Sequence, residues 1–512
     1  MSVITKQNPL LALDCYKLGH GMQYAPGTTK VYSYLTARSD KQFDRSVFYG
    51  LQYYLKEYFT IKLEPWMGEE LIEHYGLILG PCPEQMASKI RALCQLGYYP
   101  LEIKAVEEGT VMPVRNVLMT ITNTHPDFYW VVGFVESLIL KAWYPITVAS
   151  CCYDYRRIVE QYYKETVDEN MYFLKDFTVH DFGYRGDSSE EGAALSGVAH
   201  LLSFLGSDTV PALKFALEYY NADKTKPIML SVPASEHSVM CSFSRENELA
   251  AFENMLDLYP SGIVSIVSDT FDVYRVLTEF AEVLKARILA RDGKVVFRPD
   301  SGNPEYIICG DPTAPEGSNE WKGCLRLLDE KFGSTVNSKG YKVLNPKVGL
   351  IYGDGMYKER YIRTLDRMKE LGYAASNLVI GVGGILRNHS RDTLGFALKA
   401  TYVEVNNEPR EIEKDPVTDH KKKSHKGLLA LTWDDENKFV THDQCTPLQE
   451  HNSLLKTVFH NGTILRQYTL DQLRSRIRGT FLESPDKCSH CGSERFTRQD
   501  DVWFCSECGH YC

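Results

Sequence analysis

The chain has 512 residues, more than one hydrophobic core usually organises, so two or more domains are expected. Apolar residues make up 44% and charged residues 24%, ordinary globular values that favour neither disorder nor a membrane class. A net charge of −10 argues against general affinity for nucleic acid, and the first residues lack the apolar stretch of a secretion signal, so a soluble cytoplasmic protein is the expectation.

The N-terminal third mixes helical and extended patterns. Residues 50–58, GLQYYLKEY, have amphipathic helical spacing. Residues 101–124 are apolar at about every second position, with breaks at Gly109 and Pro113, which predicts strands. Residues 128–144 predict a largely buried helix. From about 175 to 390 short apolar runs alternate with helical patterns. FTVHDF leads through Ser188–Glu191, which has capping-box spacing, into a helix over 193–206. PIMLSV leads past His237 into a helix whose Leu249, Phe252 and Leu256 share one face. GIVSIVSD, KVVFRPD, KVGLIYGDG (with a helix near 357–371) and NLVIGVGG follow. Repeated strand–loop–helix units predict parallel strands with helical crossovers. Residues 405–427 predict a charged loop, and strand-like and helical patterns return from 428 to about 482.

The ends of the predicted strands carry His180–Asp181, His237, Ser268–Asp269, Arg298–Asp300, Gly353–Asp354 and Gly383–Gly384. In barrels and open α/β sheets that end is the ligand-binding face, and a purely structural origin predicts no such bias. In HDFGYRG (180–186), Arg185 offers a planar cationic fork, and Phe182 and Tyr184 offer flat apolar faces. In RPDSGNP (298–304), Arg298 and Asp300 lie two apart on an extended stretch and project to one side. A phosphate-binding arginine beside a hydroxyl-accepting aspartate suits a nucleotide sugar. GDG and GVGG are glycine turns that let backbone N–H groups approach phosphate, but they are no dinucleotide fingerprint. Asp208 fits a helix N-cap, and DHKKKSHKG (419–427) fits a solvated loop, unless a ligand asks more of them.

Nine of the 14 cysteines are scattered from Cys15 to Cys445 and fit reduced core thiols; five crowd the last 25 residues. Cys488–x₂–Cys491 and Cys505–x₂–Cys508, separated by 13 residues, have zinc-ribbon spacing. Four thiolates close a tetrahedral site, so the expectation is a structural Zn²⁺ in the tail. A redox pair and a nucleic-acid contact through Arg495 and Arg498 are the alternatives.

Together LDCYKLGH, KVYSY, YGLQYYL, WYPITVA, HDFGYRG, SVPASEHS, VSDTFD, RPDSGNP, NSKGYKVL, GDG, KDPVTD and KTVFHNG resemble the nicotinamide phosphoribosyltransferases over roughly residues 10–480. The cysteine tail lies outside that pattern. The resemblance implies a type II phosphoribosyltransferase fold: an irregular α/β barrel (151–390), and an α+β domain built from both chain ends (1–150 and 391–484), here followed by a zinc-ribbon-like tail (485–512). It implies a cytoplasmic homodimer that joins nicotinamide to phosphoribosyl pyrophosphate in NAD salvage, stimulated by ATP through a phosphohistidine, with Mg²⁺ on the pyrophosphate. Phe182 would stack on the base, with Tyr16 of a second subunit opposite and Asp14 nearby. Asp208 would accept from the carboxamide and repel nicotinate. Arg298 would serve the base and phosphate region, and Asp300, Gly353 and Asp354 the ribose. Gly383, Gly384 and Arg391 would hold the 5′-phosphate, and Arg185 the pyrophosphate. His237 would take the phosphoryl group, oriented by Asp269 and Glu236. Lys414, Lys421, Lys422 and Lys423 would lie near the ATP phosphates. Nicotinate phosphoribosyltransferase, and a nucleic-acid binder using the tail, are the competing expectations; no membrane partner is expected.

Overall fold

The computed structural model describes residues 7–418 and 423–481, and beyond them the backbone of the strands Phe496–Gln499 and Val502–Cys505. The chain forms two compact units: Met1–Ser150 with Ala216–Ala222 and His389–Cys512, and Cys151–Phe215 with Asp223–Asn388.

The first unit is built on a seven-stranded antiparallel sheet. Its order is Glu408–Glu411, Ala397–Val405, Thr28–Thr36, Val117–Asn123, Leu101–Ala105, Lys456–His460 and Thr463–Ile464. Three N-terminal strands form the centre of this sheet, and C-terminal strands flank them on both sides. The alternating stretch 101–124 becomes three strands, and its chain reverses at Gly109 (φ 92°), where a Cβ would sit 2.8 Å from the Leu473 backbone. Residues 128–144 are several short helical turns rather than one helix, before the long helix Trp143–Thr166 begins. A run apolar on every face carries no period from which breaks can be read.

The short insertion 216–222 is fastened to this unit by polar groups. Buried Glu108 accepts from the Gly50 and Gln52 amides at 3.2 and 2.6 Å and from the Tyr220 hydroxyl at 2.7 Å. The Gln52 side chain donates to the Tyr219 carbonyl at 2.6 Å. Burial pushes the Glu108 carboxyl up, against those donors.

The second unit holds a curled parallel sheet in the order Val179–Asp181, Leu378–Val382, Val348–Tyr352, Asp292–Arg298 and Ser261–Val267. The expected strand at PIMLSV is not one; that stretch makes only isolated parallel bridges. Asp181 pairs with Ser207, Gly206 with Leu230, and Ala234 with Ser265, which leads from one edge of the sheet round to the other. Pro227 and Pro233 remove two donors from the stretch, so a continuous ladder cannot form. The helix after the first strand spans Glu190–Leu201 and is capped by Ser189, whose Oγ accepts from Gly192 N at 3.0 Å, one residue later than its spacing suggested.

The strand ends are tied together by a buried cation. Arg387, on the segment after the last strand, donates from Nη2 to both oxygens of Asp181 at 2.8 and 2.9 Å and from Nε to Asp187 at 2.8 Å. All three side chains are at most 2% exposed. Ser207 and Thr209 hydroxyls and the Gly183 amide complete the shell of Asp181. Burial would raise the Asp181 carboxyl, but Arg387, His200 and those donors outweigh it and hold it below the ordinary range. A depressed carboxylate stabilises the fold above its unfolded pKa, and that stability is lost as pH falls through the folded value. Arg387→Met strands two buried carboxylates, so its stability should fall by about 3–5 kcal/mol at neutral pH. The deficit should shrink in acid, below about pH 4; denaturant unfolding at the two pH values checks both.

Candidate active site

The polar strand ends gather in the second unit. His180, in the first strand, places its Nε2 2.9 Å from Oδ1 of Asp208. The Ser231 hydroxyl donates to the same oxygen at 2.5 Å. Burial pushes the Asp208 carboxyl up, but the His180 ring and the Ser231 hydroxyl prevail and hold it below the usual carboxylate range. Asp208 is therefore an ionised acceptor, with its side chain 47% exposed.

Phe182, two residues beyond His180, packs against the His180 ring with centroids 5.1 Å apart. The Arg298 guanidinium lies 4.9 Å from the Phe182 centroid. Two glycines make room for this ring. A Cβ on Gly381 would stand 2.0 Å from Phe182, and one on Gly353 would stand 3.3 Å from it and 2.5 Å from Oδ1 of Asp300.

Arg298 and Asp300 pair at 3.1 Å. Arg298 Nε and Asp300 Oδ1 are buried with no hydrogen-bond partner among the described residues, which leaves a donor and an acceptor for a ligand. Asp269 links this pair to the histidine: its Oδ2 accepts from Asp300 N at 3.0 Å and its Oδ1 lies 3.1 Å from His237 Nε2. The imidazole is 48% exposed while the Asp269 carboxylate is 5% exposed, a held ring with an open face. Glu236 precedes the helical turn His237–Cys241, and its carboxylate accepts from Ser238; the carboxylate on the His237 ring is Asp269. Burial, followed by the charges of Asp354, Asp300 and Asp269, pushes the Tyr352 hydroxyl well up, so all three carboxylates lie around that side chain.

Arg185 sits exposed on the turn Tyr184–Gly186. A Cβ on Gly186 would be 3.2 Å from Gly384 Cα, so the arginine turn and the glycine turn after the last strand lie together. Gly383 adopts φ −108°, ψ −110° at the start of that turn.

The remaining candidates belong to the first unit. Asp14 accepts from Ser137 at 2.5 Å, and Tyr16 is 62% exposed. Arg391 donates to Asp392 at 2.8 Å. Lys414 pairs through its backbone with Ser424, and Lys423 lies 3.5 Å from both Glu413 and Asp415. Lys421, Lys422, Cys488, Cys491 and Cys508 lie outside the described residues, and Cys505 is described only by its backbone. Two cations that the sequence did not single out join Arg391 and Lys414. Burial pulls the Lys399 ammonium down; Glu136 opposes this, while the charges of Arg38, Lys414 and Arg391 add to it. Arg38, Lys414 and Arg391 therefore lie near enough to Lys399 to disfavour its charged form, with Glu136 among them.

Residues 177–463, more than half of the chain, match the model of the nicotinate phosphoribosyltransferase family, and residues 8–64 match a nicotinamide phosphoribosyltransferase N-terminal domain. A protein of Acinetobacter baylyi named nicotinamide phosphoribosyltransferase is 42% identical, over 92% of this chain and 97% of its own. One of the same name from Xanthomonas campestris is 38% identical, over 91% and 97%. The chain belongs to the nicotinamide phosphoribosyltransferase family. It is thus an enzyme of the pentosyltransferase class. The fold is also that of a nicotinate-nucleotide pyrophosphorylase from Pyrococcus furiosus (14% identity, TM-score 0.56, covering 94% of this chain and 97% of that one). Human nicotinic acid phosphoribosyltransferase shares it too (16% identity, TM-score 0.53, covering 92% and 94%).

Within this phosphoribosyltransferase framework, Ser231, Gly381, Arg387, Arg38 and Lys399 are the residues that strand-end reasoning missed. Only Gly381 left a mark, as a glycine inside the apolar strand LVIGV, where close approach of another group is the usual cause.

Proposed function

We propose that the chain transfers the phosphoribosyl group of phosphoribosyl pyrophosphate to nicotinamide, giving nicotinamide mononucleotide and pyrophosphate in NAD salvage. The observation that carries this reading is Asp208, an ionised carboxylate held by His180, whose ring also packs on Phe182. A neutral carboxamide can donate to it, whereas the carboxylate of nicotinate meets a like charge.

The pyridine nitrogen attacks the anomeric carbon, and the bond to pyrophosphate breaks with its electron pair leaving on oxygen. The sugar becomes oxocarbenium-like, so alignment and electrostatics supply most of the rate. Phe182 offers an aromatic face to the flat base, with Arg298 packed on the same ring. Asp300, whose Oδ1 is unpaired, and Asp354 accept from ribose hydroxyls, which fixes the anomeric carbon. Arg185, with the adjoining turn at Gly383 and Gly384, meets phosphate oxygens through a guanidinium and backbone N–H groups. Within the first unit, Arg391, Lys414 and Arg38 stand near Lys399 as positive charge. Mg²⁺ enters this scheme on the phosphates: no group of three His, Cys, Asp or Glu among the described residues could hold a metal, and Mg²⁺ commonly binds through substrate phosphates.

ATP couples through His237. Asp269 engages Nε2, which leaves Nδ1 to attack the γ-phosphorus as the bond to ADP breaks. Exposed Tyr16 fits stacking across a homodimer interface. The tail hairpin, with Phe496 paired to Cys505, follows the first CxxC pair in the chain and ends on the first cysteine of the second, which supports a zinc ribbon.

Three measurements test this. With both bases assayed side by side, nicotinamide should be preferred in kcat/KM by roughly a hundredfold or more; a preference for nicotinate rejects the function. His237→Ala should lose ATP stimulation yet retain ATP-independent synthesis, and unchanged coupling would contradict the phosphohistidine. Metal analysis of the full chain should find about one tightly bound zinc per chain; finding none would remove the ribbon.

A further inference from the structure

Asp208 is gripped asymmetrically. His180 Nε2 and the Ser231 hydroxyl both address Oδ1, at 2.9 and 2.5 Å, and no described residue bonds to Oδ2. The grip is itself held in place. A Cβ on Gly206 would come within 2.7 Å of His180 Nδ1, so the imidazole lies directly over that glycine, with Phe182 at its other contact. The Asp208 amide donates to the Asp181 carbonyl at 2.9 Å, and the Ser207 amide donates to the Leu230 carbonyl at 3.1 Å, one residue before Ser231. Donor and acceptor segments are thus registered by backbone bonds, and the carboxylate has one rotational setting that satisfies both donors.

We infer that His180 and Ser231 are specificity-determining positioning residues: by occupying Oδ1 they aim Oδ2 of Asp208 at the base and so set the preference for a carboxamide over a carboxylate. This rests on the base site proposed above. Two consequences follow from the geometry. A fixed Oδ2 presents its lone pairs to an amide N–H at no orientational cost when the base binds. The two donors also keep the carboxylate ionised, which maintains the repulsion of nicotinate. Without them the carboxylate can rotate, and its lone pairs no longer meet the amide N–H at a fixed angle. A charge-assisted hydrogen bond is worth about 1.5–3 kcal/mol, or roughly a ten- to hundredfold change in selectivity.

The test uses the purified full chain and steady-state kinetics with each base at saturating phosphoribosyl pyrophosphate. His180→Phe keeps the ring and removes the N–H; His180→Gln returns an N–H near the Nε2 position; Ser231→Ala removes the second donor. His180→Phe should raise the KM for nicotinamide ten- to hundredfold, by more than kcat falls, and narrow the nicotinamide-to-nicotinate ratio by a similar factor. His180→Gln should restore most of the ratio, and Ser231→Ala should narrow it in the same direction. The KM for phosphoribosyl pyrophosphate should hold throughout, which a general loosening of the fold would not allow. A parent enzyme that prefers nicotinate overturns both the function and this inference. A parent that prefers nicotinamide, with the ratio unchanged in His180→Phe or in Ser231→Ala, overturns the inference alone. Should His180→Phe fail to fold, Ser231→Ala, which removes one hydroxyl, decides the question by the same ratio.

Discussion

Burying the Arg387 guanidinium costs several kcal/mol, and the fold accepts it because two buried carboxylates pair with it through Nε and Nη2. The three charges come from three different places: the end of the first parallel strand, the loop beyond the Tyr184–Gly186 turn, and the segment after the last strand. Satisfying them fixes those places relative to one another. Phe182 and Arg185 lie between Asp181 and Asp187 in the chain, so both ends of the segment that carries them are anchored on one cation. The packing enforces the same register. A Cβ on Gly183 would lie 2.7 Å from Arg387 Cζ, so the loop must present glycine where it crosses the guanidinium. Single bridges, rather than full ladders, carry the curled sheet past residues 205–235, and charge pairing supplies specificity where backbone pairing is thin.

On that framework the site separates its charges by task. Asp208, Asp269, Asp300 and Asp354 are acceptors, suited to an amide, an imidazole and sugar hydroxyls. Arg185 and Arg298 supply donors, and Arg38, Arg391, Lys399 and Lys414 form a second cationic group within the other unit. Burial depresses the Lys399 ammonium first, and the three neighbouring cations add to it while Glu136 opposes them. The aromatic face needs a different provision. Phe182 can lie flat against the sheet only because positions 353 and 381 carry no side chain, so two glycines act as site residues without touching chemistry themselves.

Much of this was legible because parallel strands bring their ends to one side. Residues as distant in sequence as His180, Asp269, Asp300 and Asp354 could be grouped from the rhythm of apolar runs alone. Their partners could not. Ser231 lies in a stretch whose two prolines prevent a regular strand, so period-based reasoning gave it the wrong element and no function. Arg387 looks like a surface arginine in GILRNHS; its burial follows from two carboxylates about 200 residues upstream, and no local pattern announces that pairing. Lys399 lies half-buried beside half-buried Ala400, where the strand's alternation lapses, and only the assembled sheet shows Arg38 and Arg391 near it. The tail is the reverse case, since its metal-ligand spacing is legible although its cysteine side chains lie outside the described structure.

Asp269 shows how the proposed ATP chemistry could reach the sugar without a moving domain. Its two oxygens have separate duties, one on the His237 ring and one on the backbone amide of Asp300. A phosphoryl group on Nδ1 adds about −2 charge beside the imidazole and makes its remaining N–H a stronger donor. Asp269 must then share its charge differently between imidazole and amide. The amide belongs to the residue whose free Oδ1 faces the proposed ribose, so the carboxylate places a phosphohistidine and a ribose acceptor two hydrogen bonds apart. Asp269 is 5% exposed, so water screens its two hydrogen bonds less than it screens the open face of the His237 ring.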